Sequence, residues 1–126
     1  MKTELPEILI IDDDSRNIFA LSLVLKSKGR SSTSAQSVEE GMEILNKNPQ
    51  LRIVLMDMMM PDMDGYEGMK LIRNNTRFKN LPLIAVTAQA MAGDKEKCLE
   101  AGATDYVSKP IDIDKLVAII EKELND

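Results

Sequence analysis

The chain has no histidine, no tryptophan, one cysteine, two tyrosines and two phenylalanines among its 126 residues. Without histidine it can form no Ser-His-Asp or Cys-His catalytic site and no His-containing zinc site, and it cannot itself carry phosphohistidine. The single Cys98 excludes an intrachain disulfide and a cysteine-rich metal site, which is typical of a reducing, intracellular setting. Any chemistry must therefore use carboxylates, hydroxyls, lysine or backbone groups.

The chain also lacks an excess of basic charge and any long apolar run. Its net charge of −5 gives it no electrostatic reason to bind nucleic acid. No segment approaches the roughly 20 apolar residues that span a bilayer, and the polar start at residues 1–4 is unlike a signal peptide. With 44% apolar and 29% charged residues, the composition is typical of a globular protein. We expect one cytoplasmic domain, residues 5–124, with no membrane insertion.

Short apolar runs are the main structural signal in the sequence. The runs at 8–11 and 53–56 are rich in β-branched residues and predict buried strands. A third run at 81–87 predicts another strand. The serine-rich stretch 30–35 predicts a weak strand at the edge of the sheet, and residues 106–108 predict a short last strand.

Helical periodicity separates these strands. Ser15 is a candidate N-cap for a helix that ends near Gly29, and Ser37 begins the capping box of a second helix. Further helices are predicted at 66–74, at 92–101 and at the end of the chain. The predicted apolar helix positions are Ile18, Leu21 and Leu25 in the first helix, Val38, Met42 and Leu45 in the second, and Ile113, Leu116, Val117, Ile120 and Leu124 in the last.

Five strands that alternate with five helices predict an α/β fold, in which right-handed βαβ units build a parallel sheet covered by helices on both faces. In such open sheets the functional crevice lies at the carboxyl ends of the strands. The polar residues at these ends are Asp12, Asp13, Asp57, Thr87 and Lys109. We therefore expect three carboxylates, a hydroxyl and an ammonium group to converge at one edge of the sheet.

Three clustered carboxylates cannot all stay ionised beside a single ammonium group at low cost. Two carboxylates about 4 Å apart repel by roughly 4 kcal/mol at an effective dielectric constant of about 20. Either a proton or a cation must offset this repulsion, and Mg²⁺ is a hard ion that binds one or two carboxylates with waters and phosphate oxygens. Mg²⁺, a lysine and a hydroxyl are also the groups that phosphoryl transfer needs. Asp57 is then the candidate nucleophile, because a carboxylate can form an acyl phosphate.

These residues belong to motifs that follow the predicted strands in a specific order. The motifs are Asp12-Asp13 after the first strand, Asp57-Met58-Met59-Met60-Pro61-Asp62-Met63-Asp64-Gly65 after the third, Thr87-Ala88 after the fourth, and Tyr106 with Lys109-Pro110 in and after the fifth. In this order they resemble the CheY-like receiver domain of the two-component response regulator family.

The resemblance covers about residues 6–124. The stretches 13–17 and 90–98 are further similar to receiver domains of hybrid sensor histidine kinases. The resemblance implies a flavodoxin-like fold, with five parallel strands in the order 2-1-3-4-5 between five helices.

The resemblance also implies a role for each matching residue. Asp57 would accept a phosphoryl group from the phosphohistidine of a histidine kinase or of a histidine phosphotransfer protein. Asp13 and Asp57 would bind Mg²⁺ directly, Asp12 through water, and Met59 through its backbone carbonyl. Lys109, which would precede a cis peptide bond to proline, would pair with the phosphoryl oxygens.

The remaining roles concern phosphate binding and switching. The hydroxyl of Thr87 and the backbone N–H of Ala88 would bind the phosphoryl group, and Met58 and Met59 would contribute to phosphate binding. From the methionine run itself we expect Met58 to Met60 to line the mouth of the site. On phosphorylation Thr87 would move inward and Tyr106 would fill the space that it leaves. The surface of the fourth helix, fifth strand and fifth helix would then change its affinity for a downstream effector.

In this interpretation the chain is a switch, monomeric or weakly dimeric, that promotes its own phosphotransfer and autodephosphorylation without being a conventional enzyme. Two other functions stay open: a degenerate receiver that binds a partner constitutively, and a hydrolase with an aspartyl nucleophile. The hydrolase would usually need a second acid two residues after the nucleophile, where this chain has Met59. We further hypothesise that the bulky Met59 slows hydrolysis of the acyl phosphate.

Three further expectations concern Asp14, a calcium loop and nucleotide binding. Asp14 is expected to point to solvent. A calcium loop at 61–65 is excluded because Leu71 stands where an EF-hand needs glutamate. A nucleotide-binding fold is excluded because no glycine-rich phosphate motif follows the first strand.

Overall fold

The computed structural model describes residues 6–59, 65–87 and 94–124. Within these ranges the predicted alternation of strands and helices is confirmed. The elements are β1 (Ile8–Ile11), α1 (Ser15–Ser27), β2 (Ser32–Ala35), α2 (Val38–Lys47), β3 (Ile53–Asp57), α3 (Gly65–Asn74), a 3-10 turn (Thr76–Phe78), β4 (Leu83–Thr87), α4 (Asp94–Ala101), β5 (Asp105–Ser108) and α5 (Ile113–Leu124). The predicted start of the fourth helix at Ala92 lies outside the described residues.

The five strands form one parallel sheet in the order β2-β1-β3-β4-β5, as the resemblance implied. The register pairs Ile11 with Met56 and Asp57 with Val86, so the strands end together at one edge. The serine-rich β2 lies at the edge of the sheet, as predicted, because its side chains offer little apolar surface for a central position.

Two apolar layers cover the sheet, and alternate strand residues enter opposite layers. Leu9, Val54 and Met56 pack towards α2, α3 and α4, whereas Ile10 and Leu55 pack towards α1 and α5. This alternation decides the orientation of the residues that follow. A side chain at a strand end points to the same face of the sheet as the apolar residue two positions before it.

The start of α1 differs from the prediction. The N-cap is Asp14, whose Oδ1 accepts the N–H of Arg16 at 2.9 Å, and Ser15 is the first helical residue. The Asp14 side chain is 41% exposed, so it is not simply a solvent-facing acid. Both residue types are good N-caps, and the extended backbone of Asp14, not residue type, decides between them.

The other helices follow the apolar pattern with small differences. In α5 the buried side chains include Ile119 in addition to the predicted Leu116, Ile120 and Leu124, while Val117 is half-buried. Cys98 of α4 is fully buried in the core, which agrees with a packing role. In the parts of the chain that the structure describes, no helix has both the length and the apolar content to cross a bilayer.

Candidate functional site

Three acidic side chains meet at the carboxyl ends of β1 and β3. Asp12 is one residue beyond the paired Ile11 and Met56, which places it beside Asp57. Carboxylate oxygens of Asp12, Asp13 and Asp57 lie within 4.8 Å of one another. Asp12 and Asp57 are each 4% exposed, while Asp13 is exposed. The cluster therefore has a buried base and an open mouth.

Lys109 brings a positive charge to this cluster from the end of β5. Its Nζ lies 3.6 Å from Oδ2 of Asp57. Its backbone N–H donates to the carbonyl of Thr87 at 2.7 Å, which joins the ends of β5 and β4. The Lys109–Pro110 peptide bond is cis, as the resemblance implied. The ammonium group and the carboxylate of Asp57 thus form an ion pair at the base of the site.

Asp12 carries the electrostatic cost of this arrangement. Burial raises the pKa of Asp12 above its ordinary value, and the nearby charge of Asp57 raises it further. The N–H of Asp14, which donates to Oδ1 of Asp12 at 2.9 Å, and the charge of Lys109 oppose this rise. Bringing the carboxylates together therefore disfavours their charged forms, and a cation would relieve that cost.

The acidic cluster fits a small divalent cation. Oxygens that bind the same Mg²⁺ at about 2.1 Å can be at most about 4.2 Å apart. The spread of 4.8 Å among the three carboxylates is slightly larger. The three carboxylates are therefore close enough to share one ion, in part through water molecules.

The two methionines after Asp57 differ from each other. Met59 donates its backbone N–H to Oδ1 of Asp57 at 3.0 Å, and its side chain is 64% exposed at the mouth. Met58 is only 1% exposed and packs in the core layer with Met56. Its backbone N–H donates to Val86 at 2.9 Å. The prediction that Met58 lines the mouth is therefore wrong, because strand alternation sends its side chain inward.

Thr87 and Tyr106 lie on the opposite face of the sheet from Asp57. Thr87 ends β4 and is 4% exposed. Tyr106 pairs with Ala85 in β5 and is half-buried against the layer formed with α2, α3 and α4. Both residues therefore belong to one face, near the end of adjacent strands. Ala88, the predicted donor of a backbone N–H, lies outside the described residues.

Gly65 supports the site in a way that the sequence pattern did not indicate. Its N–H donates to the carbonyl of Met58 at 3.3 Å. A Cβ atom at position 65 would lie 2.6 Å from the Cα of Met58 and 3.1 Å from the carbonyl oxygen of Asp57. Only glycine lets α3 begin so close to the end of β3. The sequence shows it as an ordinary loop glycine, so its packing role depends on the fold.

A groove of about 290 Å³ opens beside the acidic cluster. It runs between α1 and the segment after β5, and Asp12 and Lys109 form its polar end. Its other lining residues are mostly apolar: Asn17, Ala20, Leu21, Val24, Pro110, Ile111 and Ile113. The site therefore adjoins an apolar surface that a small phosphate donor does not need.

Comparison with known proteins gives consistent results. The family model of the response regulator receiver domain matches residues 8–121. The two-component response regulator ORR5 of Oryza sativa is 30% identical over 106 residues, which cover 84% of this chain and 79% of ORR5. The signal transduction histidine-protein kinase BarA of Escherichia coli is 37% identical over 109 residues, which cover 86% of this chain and 12% of BarA.

A solved structure shows the same overall likeness. The receiver domain of sensor histidine kinase PA1611 from Pseudomonas aeruginosa has a TM-score of 0.86 and 30% identity, and the match covers 98% of this chain and all of that one. It is described with a magnesium ion coordinated in its active site cleft. With the sheet order, the acidic cluster and the lysine in place, the chain belongs to the response regulator receiver domain family of two-component signalling proteins.

Proposed function

We propose that this chain is a phosphorylation-activated switch that accepts a phosphoryl group on Asp57 from the phosphohistidine of a histidine kinase or a histidine phosphotransfer protein. The geometry around Asp57 carries the proposal. Its buried carboxylate has an ammonium group 3.6 Å away on one side and two further carboxylates within 4.8 Å on the other. This arrangement holds a nucleophile, a charge partner and a cation site at one point.

The transfer exchanges one phosphorus bond for another. A carboxylate oxygen of Asp57 attacks phosphorus, the P–N bond of the phosphohistidine breaks, and the imidazole of the donor leaves with the electron pair and takes up a proton. Lys109 changes its partner from the Asp57 carboxylate to the phosphoryl oxygens and stabilises their charge. The hydroxyl of Thr87 and the N–H groups of Met59 and Ala88 would become further donors to these oxygens once Thr87 has moved towards Asp57.

The acidic cluster would hold Mg²⁺ during this step. Asp13 and Asp57 would bind the ion directly, Asp12 through water, and Met59 through its carbonyl. Bound there, the ion neutralises charge on the cluster and on the phosphoryl group. The fit of the carboxylates, the raised pKa of Asp12 and the magnesium ion in the cleft of the PA1611 receiver support this ligand set.

A protein is the phosphodonor that the surface supports. Phe19 and Leu23 of α1 are 65% and 51% exposed, and they lie on the helix that lines the groove beside Lys109. Exposed apolar side chains on α1, together with the apolar groove beside Lys109, form a surface of the kind that contacts another macromolecule. These 126 residues contain no histidine, so the phosphohistidine lies outside this sequence.

The output would be a change of surface. Phosphorylation adds roughly 1.5 to 2 negative charges at neutral pH, and Thr87 would move towards them. Tyr106 lies on the same face of the sheet in the neighbouring strand, so its ring can respond to that movement. The surface of α4, β5 and α5 would then bind a downstream effector differently. In this proposal the chain is a signalling module that promotes its own phosphorylation and its own dephosphorylation.

The central test replaces the acceptor. Incubation with acetyl phosphate and Mg²⁺, followed by intact-mass measurement, is expected to add one phosphoryl group to the wild-type chain and none to Asp57→Asn. Asp114→Asn, which removes an exposed carboxylate from α5, is the matched control and should match the wild type. Chelation of Mg²⁺ should abolish the reaction in both.

Phosphorylation of Asp57→Asn at the wild-type rate would overturn the assignment. Two further outcomes would support the competing functions. A wild-type chain that shows no response to beryllofluoride with Mg²⁺ would be a constitutive binding domain. Continuous release of phosphate over many turnovers from varied phosphate esters would identify a hydrolase.

A further inference from the structure

Tyr106 occupies an edge position in which its ring can contact two different parts of the protein. It lies in β5, the last strand of the sheet, and no further strand pairs with its outer side among the described residues. One side of its half-buried ring packs against the layer formed with α2, α3 and α4. The open edge of the sheet also leaves it within reach of α5.

Lys115 of α5 makes that second contact. Its Nζ lies 5.9 Å from the centroid of the Tyr106 ring, within the range of a cation–π interaction. The first turn of α5 fixes the position of Lys115, because its backbone N–H donates to Oδ1 of Asp112 at 3.3 Å. In the described part of the chain, the ammonium group forms no ion pair within 4.0 Å. The ring is therefore the contact that the structure gives this charge.

The contact occurs in the same structure as a direct ion pair between Lys109 and the phosphoacceptor candidate. Lys109 is paired directly with the carboxylate of Asp57, at 3.6 Å. A phosphoryl group on Asp57 would take over that partner. The contact between Tyr106 and Lys115 thus occurs while Lys109 is still paired with Asp57.

We infer that Lys115 is a positioning residue that holds the Tyr106 ring towards α5 and so opposes activation. The inference rests on the proposed function, in which Tyr106 moves when Asp57 is phosphorylated. An interaction that favours only one of two states shifts their equilibrium by its own free energy. The loss of Lys115 should therefore ease the transition, whatever effector binds afterwards.

The chain offers a direct spectroscopic test, because it has two tyrosines and no tryptophan. In a Tyr66→Phe parent, Tyr106 is the single tyrosine fluorophore, and the ring at position 66 stays available to Lys97, whose Nζ lies 4.7 Å from it. The parent is titrated with beryllofluoride in the presence of Mg²⁺. Lys115→Met should lower the midpoint by about two- to fivefold, the factor that corresponds to an exposed cation–π contact of about 0.5–1 kcal/mol.

Three variants distinguish positioning from a general effect of charge or stability. Lys115→Arg keeps a cation and should restore the parental midpoint. Lys122→Met removes another exposed charge from α5 and should leave the midpoint unchanged. The third variant combines Lys115→Met with Tyr106→Leu, which removes the fluorophore, so phosphorylation by acetyl phosphate and Mg²⁺ is measured by intact mass. In the Tyr106→Leu background, Lys115→Met should no longer change the extent of phosphorylation.

The outcomes separate this inference from the proposed function. A parental midpoint in Lys115→Met, or an equal shift in Lys122→Met, overturns the role of Lys115 while the acceptor site stands. A parent that does not respond to beryllofluoride at all overturns the proposed function and this inference with it.

Discussion

The two ends of the sheet use charged side chains in opposite ways. At the carboxyl ends of the strands, Asp12 and Asp57 are buried beside each other, and the ammonium group of Lys109 pairs with Asp57. At the amino ends of β4 and β5, the guanidinium of Arg73 is surrounded by oxygens. It donates to the carbonyls of Gly102 (2.9 Å), Phe78 (2.9 Å), Lys79 (3.3 Å) and Leu81 (2.6 Å) and to Oγ1 of Thr104 (3.3 Å).

The difference shows which end stabilises the fold and which end is prepared for a ligand. Burial lowers the pKa of Arg73, but a guanidinium stays protonated in proteins, and five neutral acceptors satisfy its donors. Burial and the nearby charge of Asp57 instead raise the pKa of Asp12. The Arg73 contacts at the amino end therefore stabilise the fold. The clustered carboxylates at the carboxyl end are instead available to bind a cation.

The largest expected effect on stability comes from Arg73. Arg73→Met should lower the free energy of unfolding by about 2–3 kcal/mol, because it leaves several partly buried carbonyls without their charged donor. Urea unfolding followed by circular dichroism measures this change. Arg16→Met is the matched control, since that side chain is 93% exposed and its single ion pair is 3.8 Å long, and exposed pairs contribute little. Equal stability of Arg73→Met and the wild type would show that the two ends do not differ in this way.

The opposite sign is expected for Asp12. Its raised pKa means that the folded protein disfavours a charge which the unfolded chain carries freely at neutral pH. Asp12→Asn should therefore raise the free energy of unfolding without metal, by on the order of 1 kcal/mol, and weaken Mg²⁺ binding by about tenfold. Chemical denaturation in EDTA and isothermal titration with Mg²⁺ measure the two effects.

Asp14→Asn is the control for that experiment. It removes a neighbouring charge but keeps a side chain that can cap α1, so both quantities should stay near their wild-type values. If Asp12→Asn is less stable than the wild type in EDTA, the charge of Asp12 does not destabilise the metal-free protein, and the proposed difference between the two ends is wrong.

The smallest expected effect concerns Met59, the exposed side chain at the mouth. If its bulk keeps the attacking water from the acyl phosphate, Met59→Asn should shorten the half-life of the aspartyl phosphate by about threefold, equivalent to about 0.7 kcal/mol in the barrier. Loss of the phosphorylated mass with time provides the measurement, and Met59→Leu should keep the long half-life. An unchanged or longer half-life in Met59→Asn would contradict the hypothesis.

Much of the fold could be predicted because its signals are local. The run Ile8–Ile11 is apolar at every position, as expected for a strand covered on both faces, and it is buried throughout. Ser37 and Glu40 are three residues apart, and the Glu40 N–H indeed donates to the Ser37 hydroxyl at 3.1 Å. Even so, Oε1 of Glu40 accepts the N–H of Gln36 at 2.9 Å instead of that of Ser37. The residue types alone therefore did not predict which backbone N–H the Glu40 side chain accepts.

The candidate site was predictable in its main acids and less so in its surroundings. Asp12, Asp13 and Asp57 follow strands whose carboxyl ends must share one edge, so their convergence follows from topology. Met58 differs from its exposed neighbour Met59 because it lies two residues after the buried Met56 and therefore shares its face. Strand alternation, applied one residue further, would have placed it in the core.

The sequence by itself determined the alternation of elements, the residues at the strand ends and the exclusion of histidine chemistry, because these depend on residue type and on spacing along the chain. Only the tertiary structure decided that Asp14 caps α1, that Arg73 joins the ends of α3 and α4 to the amino ends of β4 and β5, and that Lys115 lies over Tyr106. These contacts join residues through orientation and long-range packing. A linear pattern can fix which residues reach an edge of the sheet, but not which side chains meet there.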